Sequence, residues 1–265
     1  MKKRAGEKEK EAGGFVAAVI LAAGKGSRMG GDVPKQFAEA GGRTVLSYTL
    51  EKFEKHPGVE AIIVVCARGN AGRVREICAK HGISKLRAVV FGGETRRDSS
   101  FAGVRKAAEI AGGEDGIVLI HDSARPMVTE KIISENIKMA ADSGACVTAA
   151  RAIDTTVTSR DGKVIDGVIP RETVWSVQTP QSFRLSLIVK AHAEYERRAA
   201  EGEALEQVTD DGGLIRMLGL PVAICPSDND NFKLTVPGDI DRLRSALAVK
   251  FDRERPEENG GQHNA

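Results

Sequence analysis

The chain has 265 residues, of which 41% are apolar and 29% charged, a composition typical of a soluble globular protein that can bury a sizeable core. Its 39 basic and 37 acidic side chains leave a formal net charge of +2, which excludes the basic surface of a non-specific nucleic-acid-binding protein. No stretch reaches the ~18 apolar residues of a membrane span, and the basic start lacks the apolar segment of a secretory signal.

The two ends of the chain differ from its middle in charge and apolar content. Residues 1–14 carry five basic and three acidic side chains, and residues 251–265 carry four acidic and two basic ones. Neither segment can bury enough apolar surface to offset the entropy of ordering it, so both are predicted to be disordered tails. The folded unit is predicted to be one domain over residues 15–250.

Short apolar strands alternate with amphipathic helices in the first half of the chain. The predicted strands are Phe15–Leu21, Val59–Cys66, Leu86–Phe91 and Gly116–His121. The predicted helices are Thr44–His56, Asn70–His81, Asp98–Ala111 and Thr129–Ser143, the last with Thr129 as N-cap and Gly144 just past its end. Continuous apolar runs are typical of strands covered on both faces. The alternation predicts a Rossmann-like α/β fold, a mostly parallel twisted sheet with helices on both faces.

The pattern changes at about residue 145. A strand at Ala145–Arg151 precedes two short β-prone runs, Thr155–Ser159 and Lys163–Ile169, which flank the turn residues Arg160-Asp161-Gly162. They predict a protruding β-hairpin arm near residues 152–173, and an exposed hairpin usually needs a partner, so the arm predicts a homodimer. The remaining predicted elements are strands at Trp175–Thr179, Val222–Cys225 and Phe232–Val236, and helices at Leu185–Ala200 and from Pro237 to about Lys250.

The cysteines of the chain show no CxxC spacing, and two of them fall inside apolar runs. A metal or redox function is the alternative interpretation, but the pattern favours buried core thiols in a reducing compartment. We therefore expect a cytoplasmic protein. The cysteines are Cys66, Cys78, Cys146 and Cys225.

The loop after the first strand carries the strongest signal for ligand binding. Its sequence, AAGKGSRMGGDVPK over residues 22–35, combines small residues that allow close backbone approach with the cations Lys25, Arg28 and Lys35. The dinucleotide-binding, P-loop and GxSxG templates all fail on its spacing. The loop favours a polyphosphate ligand, because cations must meet the charge that develops in phosphoryl chemistry. A solvated glycine loop with surface charges is the alternative.

The segment HDSARP, residues 121–126, follows the fourth strand. Asp122 lies at the carboxyl end of a predicted parallel strand, and one carboxylate plus phosphate oxygens is a common way to hold Mg²⁺. Arg125 is then available for an anion. The alternative is an Asp–Arg pair that closes a turn, and His121 is interpreted as a structural hydrogen-bonding residue rather than a base.

The segment GGETRRDSS, residues 92–100, follows the third strand and opens a helix. Its glycines allow close approach of a ligand, and a Ser in the first helical turn could contact a base edge. The alternative is that Ser or Asp98 caps the helix, and both interpretations can hold together.

Five motifs occur in one order along the chain: AAGKGSRMGGDVPKQF, GGETRRDS, HDSARP, VWSVQTPQSFRLSL and DNDNFKLTVPGD. Together they resemble the 2-C-methyl-D-erythritol 4-phosphate cytidylyltransferases of the non-mevalonate isoprenoid pathway, over about residues 15–247. The resemblance implies transfer of CMP from CTP to the sugar phosphate with release of pyrophosphate. It also implies CTP as co-substrate, Mg²⁺ or another divalent cation, and an arm that crosses to a second subunit.

The resemblance assigns roles to individual residues. Arg28 and Lys35 fall on the positions that stabilise the transition state, and Arg171 and Lys233 fall on those that orient the sugar phosphate. Asp122 falls on the Mg²⁺ carboxylate. The nucleotide-binding positions are Ala22, Ala23, Gly24, Gly26, Gly93, Glu94, Ser99, Asp122 and Ser123. The sugar-phosphate positions are Arg125, Thr155, Arg171, Thr179, Thr209 and Lys233, of which Thr155 and Arg171 would serve the partner's site.

The charge of the attacking phosphate at neutral pH is consistent with this reaction. A phosphate monoester with a second pKa of ~6 is largely dianionic at neutral pH, so the attacking group needs no general base, and the sequence offers no compelling one. The nearest alternative is a pentitol-phosphate cytidylyltransferase, such as one acting on ribitol 5-phosphate, which shares several of these motifs. The failed GxGxxG template argues against a dinucleotide-dependent oxidoreductase. The retained cations argue against a non-catalytic homologue.

The chain departs from the pattern of the family in three places. Leu21 stands where many members have Pro, and Glu94 stands where Asp is frequent. Asp211-Gly212-Gly213 replaces a usual Glu/Asp-Ala-Ser/Ala pattern, which leaves the role of this loop open.

Overall fold

The computed structural model describes residues 14–24, 33–205 and 208–254. Most of the two predicted tails therefore lies outside the described residues. Residues 251–254 of the predicted C-terminal tail instead continue the last helix.

Eleven strands and seven helices are found in the described residues. The strands are β1 (Val16–Ala22), β2 (Glu39–Ala40), β3 (Arg43–Thr44), β4 (Ala61–Cys66), β5 (Leu86–Phe91), β6 (Ile117–Asp122), β7 (Ala145–Arg151), β8 (Thr156–Thr158), β9 (Gly167–Ile169), β10 (Trp175–Arg184) and β11 (Ala223–Ser227). The helices are α1 (Val45–Lys55), α2 (Ala71–Lys80), α3 (Arg96–Ala111), α4 (Glu130–Ser143), α5 (Leu185–Ala200), α6 (Asp211–Met217) and α7 (Gly238–Glu254).

A seven-stranded sheet of order β11-β7-β10-β6-β1-β4-β5 forms the centre of the fold. Its strands are parallel except β10, which is antiparallel to both β6 and β7. The predicted mostly parallel α/β fold is confirmed. The chain leaves β1 toward β4 on one side and returns to β6 on the other. In open α/β sheets, such a switch point opens a ligand crevice at the carboxyl ends of the strands.

Helices cover both faces of the sheet, which explains the continuous apolar runs. Ala18 and Ile20 of β1 pack into the layer of α1, α2 and α4, whereas Ala17 and Val19 pack into the layer of α3, α5 and α6. A Cβ on Gly103 of α3 would collide with Val19, so α3 lies directly against β1. This close packing fixes where the first turn of α3 lies relative to the end of β1.

The elements of the first half end within two residues of their predicted ends. Thr129 caps α4 by accepting a hydrogen bond from the backbone N–H of Ile132, and Gly144 follows with φ of 83°, both as predicted. The predicted strand Trp175–Thr179 extends further, through Pro180, to Arg184. The first-half predictions succeed because each element carries its own apolar period and cap.

The predicted strand Phe232–Val236 is wrong. In this segment, Leu234 N–H donates to the carbonyl of Ala124 (2.9 Å) rather than to a neighbouring strand. The backbone N–H groups of Thr235 and Val236 both donate to the carboxylate of Asp239 (2.6 and 2.9 Å). The donors that a strand ladder would use are thus taken by the carbonyl of Ala124 and the carboxylate of Asp239.

The predicted hairpin arm is present. Strands β8 and β9 pair antiparallel, and Gly162 takes φ of 69° in the connecting turn. Four large apolar side chains of the arm are strongly exposed, between 62% and 66%, namely Ile153, Val164, Ile165 and Val168.

All four cysteines are free and buried, as predicted for core thiols. Burial raises the pKa of Cys78 and of Cys225 to about 11, so neither is a reactive thiolate at neutral pH. Among the described helices, none combines the length and the apolar character needed to cross a bilayer.

Candidate active site

A cavity of about 660 Å³ opens at the carboxyl ends of β1 and β6, at the switch point of the sheet. In the described part of the chain, its lining includes the cations Lys35, Arg96 and Lys233 and the carboxylates Glu94 and Asp122. Several cations around exposed backbone suit a ligand with more than one phosphate group. The predicted site residues that line the cavity are Ala23, Gly24, Lys35, Gly93, Glu94, Ser99, Asp122, Ser123 and Lys233.

Gln36 directly follows the glycine loop, residues 22–35, and its side chain bonds back to the start of that loop. Its Nε2 donates to the carbonyl oxygens of Ala22 (2.8 Å) and Gly24 (3.2 Å), and its side chain is buried. The neighbouring Lys35 donates from Nζ to the carbonyl of Leu234 (3.1 Å). These contacts hold Lys35 at the end of β1. The predicted residues Gly26 and Arg28 lie outside the described residues.

The glycine pair after β5 allows the next turn to pack against the end of β1. A Cβ on Gly92 would lie 2.6 Å from both Ala23 Cβ and Ser99 Oγ, closer than real contacts allow. Thr95 is the N-cap of α3, and Asp98 completes a capping box with it (3.1 and 3.0 Å). The helix therefore begins at Arg96 rather than at the predicted Asp98. The capping interpretation applies to Asp98, whereas Ser99 lines the cavity.

Asp122 ends β6 and is 8% exposed. Its Oδ2 lies 2.6 Å from Nζ of Lys233, and its Oδ1 lies 3.6 Å from Nε of Arg96. Burial raises the pKa of Asp122, but the two cations outweigh burial and hold that pKa well below its usual range. Asp122 is therefore ionised at neutral pH. The guanidinium of Arg125 donates to the carbonyl of Asn231 (2.7 Å).

His121 is fully buried beneath the site. Its Nε2 lies 3.1 Å from the carbonyl of Arg125, an atom that can only accept, so Nε2 carries the proton. Its Nδ1 then accepts from the hydroxyl of Thr179 (3.1 Å), whose oxygen accepts from the N–H of Asp122 (3.1 Å). Thr179, a predicted substrate-binding residue, is itself 3% exposed and fixes the end of β6.

Two buried histidines give the stability of the protein a defined pH dependence. Burial lowers the pKa of His121 and of His192 from 6.5 to about 4. As the pH falls below 6.5, these two histidines are protonated in the unfolded chain before they are protonated in the folded protein. Their contribution to the free energy of unfolding is therefore nearly constant above pH 6.5 and falls as the pH drops toward 4. Between pH 7 and 5 we expect a loss of about 2 kcal/mol for each histidine, measured by urea unfolding.

The control for this expectation is His192→Phe, which keeps a ring stacked on Phe101 (4.7 Å between centroids). It is expected to remove about half of the pH dependence. An unfolding free energy that stays the same from pH 7 to pH 5 in the unmodified protein would contradict the account.

The family model for IspD, described as 2-C-methyl-D-erythritol 4-phosphate cytidylyltransferase, matches residues 16–248. The chain belongs to this cytidylyltransferase family. A family member from Halalkalibacterium halodurans is 39% identical over 237 residues, which cover 89% of this chain and 97% of that protein. Another member, from Geobacter metallireducens, is 39% identical over 91% of this chain and 98% of its own length.

Solved structures of the family have the same fold. The crystal structure of the 2-C-methyl-D-erythritol 4-phosphate cytidylyltransferase from Thermus thermophilus has a TM-score of 0.66 and 33% identity, and the match covers 89% of this chain and 99% of that one. The 4-diphosphocytidyl-2C-methyl-D-erythritol synthase from Anaerococcus prevotii has a TM-score of 0.74 and 27% identity, over 88% of this chain and 96% of that one.

Several residues predicted from the family resemblance do not line the cavity of their own chain. Thr155 and Arg171 are exposed on the arm, where Arg171 Nη1 donates to the carbonyl of Ile153 (3.2 Å). Thr209 is exposed just before α6, and Arg125 and Thr179 make the internal contacts described above. Ala22 contributes its carbonyl to Gln36.

Sequence reasoning missed three residues that build this family site. Gln36 closes the glycine loop, Arg96 lines the cavity, and Asp211 holds Arg96 from a buried position (2.7 Å). Gln36 and Arg96 lie inside family motifs, whereas Asp211 lies in the loop that departs from the family pattern. The pattern of GGETRRDS does not distinguish Arg96 from Arg97, because only the fold decides which arginine reaches the cavity.

Proposed function

We propose that this chain transfers CMP from CTP to 2-C-methyl-D-erythritol 4-phosphate. A phosphate oxygen of the sugar phosphate attacks the α-phosphorus of CTP, the bond from that phosphorus to the β-phosphate oxygen breaks, and pyrophosphate leaves. The observation that carries this proposal is the convergence of Lys35, Asp122 and Lys233, from three distant motifs, on one cavity at the switch point. The family match over residues 16–248 supports the same substrates.

The site works by charge and position rather than by proton transfer. Two anions must approach each other, and Lys35 and Arg28 are proposed to stabilise the charge that builds up at the α-phosphorus and on the leaving pyrophosphate. Lys233, together with Arg171, is proposed to orient the attacking phosphate. Among the described residues, the only histidine next to the site, His121, is buried and neutral, with both ring nitrogens hydrogen-bonded inside the protein.

The nucleotide and the sugar phosphate are proposed to share this cavity. Small residues at the end of β1 and after β5 are proposed to let the nucleotide approach the backbone, since Ala23, Gly24 and Gly93 line the cavity. The proposed nucleotide-binding residues are Ala22, Ala23, Gly24, Gly26, Gly93, Glu94, Ser99, Asp122 and Ser123. The proposed sugar-phosphate residues are Arg125, Thr155, Arg171, Thr179, Thr209 and Lys233.

Mg²⁺ or another divalent cation fits the donor set. In the part of the chain that the structure describes, no three His, Cys, Asp or Glu side chains gather into a metal cluster. Mg²⁺ commonly takes one or two carboxylates together with substrate phosphates and waters, so the ionised Asp122 suffices as the protein ligand. When bound, the ion would neutralise phosphate charge. The role of the chain is to keep Asp122 ionised and fixed at the end of β6.

The arm is proposed to dimerise the protein and to complete the partner's site. Its four strongly exposed apolar side chains suit burial against a second copy of the chain, since exposed hairpins are rarely stable alone. Thr155 and Arg171 lie on this arm, away from the cavity of their own chain. The buried thiols further favour the reducing cytoplasm as the location of the protein.

Subunit mixing tests the arm. Arg171→Ala and Lys35→Ala are each expected to inactivate the homodimer. If the arm serves the partner, a mixed dimer has one intact site, so random exchange of equal amounts restores about one quarter of the wild-type activity. Pyrophosphate release measures it, and native mass spectrometry verifies the exchange. No recovery after verified exchange would contradict a shared site.

The experiment that tests the proposed function itself measures the release of pyrophosphate from CTP in the presence of Mg²⁺. Methylerythritol 4-phosphate and ribitol 5-phosphate are compared as acceptors. The family match does not favour the pentitol alternative.

A further inference from the structure

The cavity contains a cation that the roles above do not use. Arg96 begins α3, and its side chain lines the cavity beside Asp122 and Lys233. The next residue, Arg97, instead lies 3.9 Å from the ring centroid of Tyr195 and pairs with Asp98. Of these two successive arginines, only Arg96 is placed to meet a ligand.

A buried carboxylate holds Arg96 in place. Asp211 is 1% exposed, and its Oδ2 accepts from Nη1 of Arg96 at 2.7 Å. Its Oδ1 accepts from the hydroxyl of Ser100, which is fully buried, at 2.5 Å. A buried carboxylate is costly in desolvation unless it is paired, and its partner here is Arg96, whose side chain is 31% exposed at the cavity. Asp211 therefore holds the guanidinium of Arg96 at the edge of the cavity.

The loop before Asp211 is built to fix its position. Asp210 caps α6, and Gln181 bridges the cap by accepting from the N–H of Gly212 (3.0 Å) and donating to Asp210 Oδ2 (2.9 Å). A Cβ on Gly212 would lie 2.8 Å from Cγ1 of Val147, so α6 lies directly against β7. The glycine that departs from the usual family pattern thus helps to set where Asp211 stands.

The guanidinium of Arg96 retains donors for a ligand. Arg has five N–H donors, of which Nη1 serves Asp211. Its Nε lies 3.6 Å from Asp122 Oδ1, beyond hydrogen-bond distance. Nη2 makes no hydrogen bond to any residue that the structure describes. Burial lowers the pKa of Arg96, but Asp211 and Asp122 outweigh burial and raise it, so the group stays charged.

We propose that Arg96 is a further ligand-binding residue that contacts a phosphate oxygen of the bound substrates, and that Asp211 is its positioning residue. The inference rests on the proposed function, which supplies two phosphate-bearing ligands, CTP and the sugar phosphate. A planar guanidinium forms hydrogen bonds to phosphate in fixed directions. Fixing the guanidinium before the ligand binds reduces the conformational entropy lost on binding.

The test measures the affinity for each ligand in Arg96→Gln, Asp211→Asn and the double variant. Calorimetry gives the Kd of CTP with Mg²⁺, and pyrophosphate release gives the KM for methylerythritol 4-phosphate. Each single change is expected to raise at least one of these constants about ten-fold, the effect of one charge-assisted hydrogen bond. Asp211→Asn is expected to add little in the Arg96→Gln background, because the two residues act as a unit.

Arg97→Gln is the matched control, because the Arg97 side chain is 29% exposed against 31% for Arg96 and also pairs with an aspartate. It is expected to leave both constants within about two-fold of wild type. Ser100→Ala, which removes one hydrogen bond to Asp211, replaces Asp211→Asn if that variant does not fold.

The outcomes separate the two possible phosphate sources. A rise in the CTP constant alone assigns Arg96 to the nucleotide, and a rise in the sugar-phosphate constant alone assigns it to that substrate. Unchanged constants in a folded Arg96→Gln variant overturn the inference and leave a structural ion pair. Wild-type turnover is measured in parallel: if the wild type releases no pyrophosphate with methylerythritol 4-phosphate, the proposed function fails, not this inference alone.

Discussion

Lys35→Gln is expected to lower kcat by about 10²–10³-fold, the usual cost of removing one donor to charge that develops in a transition state. Lys35 lines the cavity at the end of β1 and is proposed to meet the charge on the transferring and leaving phosphates. Since that charge grows during the reaction, the KM for CTP is expected to change less than kcat. Steady-state pyrophosphate release measures both.

Glutamine is chosen for Lys35 because it can keep a hydrogen bond to the carbonyl of Leu234, the contact of Nζ at 3.1 Å. Urea unfolding checks that the fold is retained. Lys80→Gln, at an exposed position on α2, is the control and is expected to behave as wild type. Near-normal turnover in a folded Lys35→Gln variant would remove Lys35 from its proposed role.

Asp122→Asn is expected to reduce kcat/KM by at least about 10²-fold, because the neutral amide cannot serve as an anionic ligand to Mg²⁺. The change also leaves Lys233 and Arg96 without the carboxylate that lies between them (2.6 and 3.6 Å). The Mg²⁺ concentration that gives half-maximal activity is expected to rise. Activity titrated against Mg²⁺ at saturating substrates measures this effect.

Asp142→Asn, an exposed change on α4, is the control for the loss of one negative charge. The pKa of Asp122 is lowered in the folded state, so Asp122 contributes stability above its ordinary value of 3.8 that is lost as the pH falls below it. Asp122→Asn therefore also destabilises the protein at neutral pH. A folded variant with wild-type dependence on Mg²⁺ would contradict the metal role.

The central sheet could be predicted because each strand and helix is marked by residues within its own segment of the chain. Each buried strand carries a continuous apolar run, and α4 carries its own cap at Thr129. The segment 232–236 has the composition of a strand, but Asp239 takes its backbone donors. Helix α6 was missed because Gly212 and Gly213 are poor helix formers, and Asp210 supplies the cap that starts it.

The candidate site was only partly predictable from the sequence. The motifs with the family resemblance pointed to Lys35, Asp122 and Lys233, and the sheet brings these three together. The role of Arg96 depends on Asp211, which is 115 residues away in the chain, and no spacing rule connects them. The net charge of +2 likewise gives no indication of the site, because the few cations that converge on it are balanced by acidic residues elsewhere in the chain.

The most direct test of the account is pyrophosphate release by the purified protein with CTP and Mg²⁺ and one of two acceptors. We expect rapid release with methylerythritol 4-phosphate, formation of 4-diphosphocytidyl-2-C-methyl-D-erythritol, and little or no release with ribitol 5-phosphate. Turnover with ribitol 5-phosphate and none with methylerythritol 4-phosphate would contradict it.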